Sequence, residues 1–89
     1  MDKKIVTLNN GLQLKVDIDV MDDWDVFVLL REIDKGEAGA IVDLIPMCLG
    51  DKQFEALKER LKDENGKVKA SDMVSAFYEL LEKVNALKN

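Results

Sequence analysis

Asp22, Asp23 and Asp25 stand within four positions of one another and could attract a divalent cation or share a proton as an acid–base pair. The cap and first turn of a helix explain the same residues with less, since carboxylates there meet free amides and the positive end of the dipole. A second candidate runs from Leu61 to Asp72. Counted as a calcium loop, it puts Asp63 third, Asn65 fifth, Gly66 sixth, Val68 eighth and Asp72 twelfth. It fails where ligands matter most. Leu61 brings no oxygen to the first position, Asp72 is one methylene shorter than the usual bidentate Glu, and Lys67 and Lys69 add positive charge. A calcium-free helix–turn–helix connection is the expectation there, with a degenerate calcium-binding helix–loop–helix protein as the alternative reading. Cys48 has no activating base nearby in sequence and reads as a core residue. With no histidine and one cysteine, the chain cannot assemble a Ser–His–Asp or Cys–His centre or the usual zinc sets. Its five glycines are spread as turn and cap residues, not grouped around a phosphate. The residues therefore point to a protein that is not an enzyme and takes no cofactor and no metal.

The elements that would carry these residues fit an α+β chain of 89 residues, a single domain over 1–89. A short N-terminal β-hairpin over 4–18 is followed by a helical part of about four helices over 22–88. In the hairpin, Leu12, Leu14, Val16 and Ile18 alternate with Gln13, Lys15 and Asp17. Asn10-Gly11 predicts a two-residue turn between the arms. The stretch Asp22–Ile33 predicts a helix capped by Asp22 or Asp23. Trp24, Phe27 and Val28 form one apolar line on it, and Val26, Leu29, Leu30 and Ile33 form another. Two apolar lines call for more than one neighbour, so this helix is expected at the centre of the molecule. Gly36 ends it. A second helix then begins near residues 37–40, and Pro46 predicts a kink or a split into 38–45 and a turn over 47–49, because an interior proline costs about 3 kcal/mol. Gly50 and Asp51 predict a stop and a cap for a third helix over 52–62. Ser71 predicts the cap of a last helix reaching about Lys88. The expected core comprises Trp24, Phe27, Leu30, Ile33, Leu44, Phe54, Leu57, Leu61, Phe77 and Leu81.

Thirteen basic against eighteen acidic side chains give a formal charge of −5. That charge argues against nucleic acid or an anionic membrane as partner. Arg occurs only at 31 and 60, so bidentate phosphate contacts are scarce. The sequence MDKKIVTL has no secretory apolar region, and no run is long enough to span a bilayer. A lone cysteine in an apolar run suits a reduced compartment. A soluble protein, not exported by a standard signal peptide, is expected.

The order of features is similar to the small tail assembly chaperones of long-tailed phages and prophages of Gram-positive bacteria. Residues 17–74 carry the resemblance, through Asp22-Asp23-Trp24, the leucine-rich helix after it, Leu49-Gly50, and Leu61 to Gly66 with Val68 and Met73 beyond. These are core and turn signals more than chemical signatures. The resemblance implies a non-catalytic helper that binds the long helical tape measure protein and keeps it soluble while tail tube subunits polymerise. It implies residence in the cytoplasm of the bacterial host and absence from the mature virion. Self-association, or a longer form made by ribosomal frameshift as in some relatives, is also implied as possible. A partner surface around Ile45, Met47 and Leu49 is one expectation, because a helix disrupted by Pro46 would pack incompletely; simple burial of each residue in the core is the other. The competing expectation is an acidic structural or inhibitory interaction module acting through its charge.

Overall fold

The alternation at Leu14 and Val16 produces strand β2 (Gln13–Asp17), which pairs antiparallel with β1 (Lys3–Thr7) in the register Val6↔Leu14. The computed structural model describes residues 3–37 and 39–88, without the side chains of Met21 and Lys88. The hairpin connection departs from the expected two-residue turn. Gly11 N–H donates to Leu8 O at 2.9 Å and Leu8 N–H to Leu12 O at 2.9 Å, which makes a three-residue loop over Asn9–Gly11. Gly11 takes the left-handed conformation there (φ 90°), whereas Asn10 keeps φ negative and accepts from Leu12 N–H through Oδ1 at 2.9 Å.

A short 3-10 turn at Val20–Asp22 leads into α1 (Trp24–Asp34). Asp23 is its cap, its Oδ1 accepting from the Asp25 amide at 2.9 Å and the Val26 amide at 3.3 Å. The helix stops where Gly36 turns left-handed. Glu37 N–H reaches back to Glu32 O, and Gly36 N–H to Ile33 O, each at 2.9 Å.

The next helix, α2 (Ala40–Leu49), passes unbroken through Pro46, which rules out the split that was expected as one of two outcomes beside a kink; Ala38, where the first segment was to begin, lies outside the described residues. The missing amide costs about 3 kcal/mol. Burial of Ile41, Leu44, Ile45, Cys48 and Leu49 along the inner side outweighs it, at about 1.5–3 kcal/mol for each large side chain. Val42, whose carbonyl loses its donor, lies on the exposed side, where water can serve instead. Gly50 (φ 80°, ψ 161°) both closes α2 and opens α3 (Asp51–Leu61). Asp51 is thus the first residue of α3 and not its cap. The last helix, α4 (Ala70–Lys88), starts one residue before Ser71, so Ser71 sits in its first turn and is not the cap either.

Beneath the hairpin, one cluster of side chains forms the core. Leu14 and Val16 from β2, Leu44 from α2, Leu57 from α3, and Phe77, Leu80 and Val84 from α4 are its most enclosed members. Side chains then tie the hairpin down from two helices. Gln53 accepts from Lys15 N–H at 2.6 Å and donates to Lys15 O at 2.7 Å, while Arg60 donates to Asn10 O at 3.2 Å. From α4, Glu79 accepts from Asn9 N–H at 2.6 Å and Lys83 donates to Thr7 O at 2.7 Å. The radius of gyration is 12.8 Å, near the roughly 12 Å expected of one compact body this long. No helix among the described residues is long and apolar enough to cross a membrane.

Candidate partner-binding surface

The clearest departure from the expected core is on α1. Trp24 is 73 % exposed and Phe27 48 %, with Val28 beside them on the outer face. The inner face is the second apolar line: Val26 is buried, and Leu29, Leu30 and Ile33 are half-buried against the core. Helix α1 is therefore peripheral, packed chiefly on α2, and not the element around which the others gather. Of the remaining expected core residues, Leu44, Leu57 and Phe77 are fully enclosed, whereas Phe54, Leu61 and Leu81 are half-buried at its margin.

The outer line has a built geometry. Trp24 and Phe27 are three residues apart, and their ring centroids lie 6.0 Å apart at 34°. Arg31 extends the same line by one more turn. That charged residue is the signal that could have revealed which line faces out, because the line through Val26, Leu29, Leu30 and Ile33 carries no charge.

Two of the molecule's concavities border α2. Beside the start of α1 is a cavity of 510 Å³, bordered by Asp17, Asp19, Asp22 and Asp23 with Lys3 and Lys15. Met47, 44 % exposed, opens onto it. On α2, α3 and α4 lies an apolar groove of 380 Å³, where Ile41, Val42 and Ile45 face Phe54, Met73 and Val74. Of its lining residues, Phe54 also meets Lys58, whose Nζ stands 4.9 Å from the ring centre.

The expected surface around Ile45, Met47 and Leu49 does not hold together. Ile45 and Leu49 are buried in the core, and only Met47 reaches solvent. Helix continuity through Pro46 is the reason, since it keeps residues 45 and 49 on the inward side four positions apart.

Chemically, several of the titratable groups are occupied in structural work. Burial, with the charge of Asp23 adding to it, pushes the Cys48 thiol up to about 11, so it carries almost no thiolate at neutral pH. Asp63 Oδ1 accepts the Asn65 and Lys67 amides at 2.9 and 3.0 Å, which makes the loop expected from its degenerate calcium spacing a self-closed turn. Burial raises the Glu79 carboxyl, but the hydrogen bond from Lys83, the Asn9 amide and the Lys83 charge together hold it below its ordinary 4.5. Among the described residues no group of three or more Cys, Asp or Glu side chains is placed to hold a metal ion. Comparison of the chain with family models, with characterised proteins and with solved structures returns no match.

Proposed function

We propose that this protein is a non-catalytic assembly chaperone that covers an apolar helical segment of a partner through the outer face of α1. The observation that carries the reading is the Trp24–Phe27 pair, two aromatic rings in contact with each other and open to solvent. Large aromatic side chains left on a helix face are the usual anchors of protein interfaces. The resemblance to phage tail assembly chaperones supplies the partner: the tape measure protein, held soluble in the bacterial cytoplasm until tail tube subunits enclose it, with the chaperone absent from the finished virion.

Co-expression tests this. The parent chain should co-purify with its cognate tape measure protein and raise the soluble fraction of that protein. Phe27→Ser should lose most of this effect, whereas Lys58→Ser, on α3, should keep it, provided both unfold thermally like the parent. A parent chain that neither binds nor solubilises the tape measure protein, across several ratios and salt concentrations, removes the chaperone reading. A second reading, an acidic structural or inhibitory module, is favoured by one observation. Residues 17–37 hold eight carboxylates against two cations, whereas the rest of the chain holds ten against eleven. Binding that survives Phe27→Ser yet vanishes at high salt would select it.

A further inference from the structure

The net negative charge and the exposed aromatic pair occupy the same part of the molecule. The whole excess of carboxylates lies in residues 17–37, which include α1, and four of them border the cavity beside the start of that helix, where they outnumber the two lysines, Lys3 and Lys15, two to one. Trp24 follows Asp22 and Asp23 directly, so the apolar line begins where the acidic cavity ends. An apolar partner alone would use the rings and gain nothing from the carboxylates. An acidic partner, or an anionic surface, would be repelled at the Trp24 end. A second copy fits poorly as well, because the flanks of α1 repeat carboxylates at Asp25, Glu32 and Asp34 against Arg31 and Lys35 alone.

We propose that the occupant of the outer face of α1 is a basic amphipathic helix, its apolar stripe on Trp24, Phe27 and Val28 and a Lys or Arg side chain in the aspartate-bordered cavity. This rests on the reading that α1 covers a partner helix, and it adds the chemistry of that helix. The cavity is open and 510 Å³ in volume, ample for a long cationic side chain. Met47 at its edge offers an adaptable apolar contact for the methylene stem of that side chain.

The test titrates the full chain with three synthetic peptides: a helix with a Leu/Phe stripe flanked by Lys and Arg, the same helix with Glu in place of the cations, and a scrambled version of the first. Trp24 is the only tryptophan, so its emission reports contact directly. The basic helix should shift that emission to the blue and bind about tenfold or more tighter than the acidic one. Raising salt from about 50 to about 300 mM should weaken it several-fold. Phe27→Ser should cost about tenfold or more, and Asp19→Asn with Asp22→Asn, both on the cavity, about fivefold. Equal binding of the acidic helix, or binding indifferent to Phe27→Ser, overturns the proposal. So does a concentration-dependent dimer of the chain alone that Phe27→Ser dissolves, since a second copy would then be the occupant. The cognate tape measure protein separates the two readings. If it co-purifies while the basic helix ignores α1, this inference fails and the chaperone reading stands; if the basic helix binds α1 while the tape measure protein does not, the reverse holds.

Discussion

Helices α1 and α4 each carry a phenylalanine in an apolar line at three- and four-residue spacing, Phe27 with Trp24 and Phe77 with Leu80 and Val84, yet they use those lines in opposite ways. Phe77 of α4 is 0 % exposed, enclosed with Leu80 and Val84. Trp24 and Phe27 of α1 face water. The difference lies in the neighbours and not in the side chains. Helix α4 meets the hairpin and α3, and Lys83 and Glu79 fasten it to residues 7 and 9. Helix α1 has α2 on its inner side, and its outer line of Trp24, Phe27 and Val28 stays exposed among the described residues. Spacing fixes which residues share a line, and only the number of packed neighbours decides whether that line is covered.

Replacing the same kind of side chain in the two helices should break this comparison most sharply if it is mistaken. Phe77→Ala should cost about 3–5 kcal/mol in urea unfolding, through lost transfer energy and a cavity that the surrounding Leu and Val side chains cannot fill. A loss under about 1 kcal/mol would mean that α4 is not the centre. The fastening of α4 gives a smaller effect. Glu79→Gln should cost about 1 kcal/mol at neutral pH, as its two partners become less well satisfied. The sign with pH follows from the lowered carboxyl. Its stabilising contribution is complete above the ordinary value of 4.5 and drains away as pH falls through the depressed one. Unfolding free energy followed from neutral to acid pH should therefore fall less steeply in Glu79→Gln than in the parent; parallel curves would show that the ion pair does not hold. Trp24→Ala should cost least, under about 1 kcal/mol, because an exposed indole forfeits little burial. In the parent, Trp24 emission should be freely quenched by acrylamide, and a protected indole would place α1 back among the covered helices.

How much of this is legible in the sequence depends on how local the deciding forces are. The hairpin and the four helices are readable because alternation, helical spacing and the punctuation by Gly36, Gly50 and Gly66 act within a few residues. Met47 opens to solvent while Ile45 and Leu49 do not, because the energy gained by packing α2 exceeds the local penalty at Pro46, and no local signal carries that sum. The line Trp24–Phe27–Val28 is visible in the sequence; its outward aspect is not, since the great area of an indole argues for burial unless the charge at Arg31 is weighed against it. The aspartate-bordered cavity draws Lys3, Lys15 and Met47 from different elements to the start of α1, a convergence that exists only after folding.

The Gln53 side chain behaves as a strand one peptide long. Its amide offers Lys15 the same donor and acceptor that a neighbouring backbone would, and a third bond to Leu49 O at 2.9 Å fixes it in place. A two-stranded sheet with a bare edge is a template on which another chain can polymerise. Here the edge at Lys15 is terminated by an uncharged group that satisfies the sheet and cannot be extended. The fold thereby closes a route by which its own hairpin could seed fibrils.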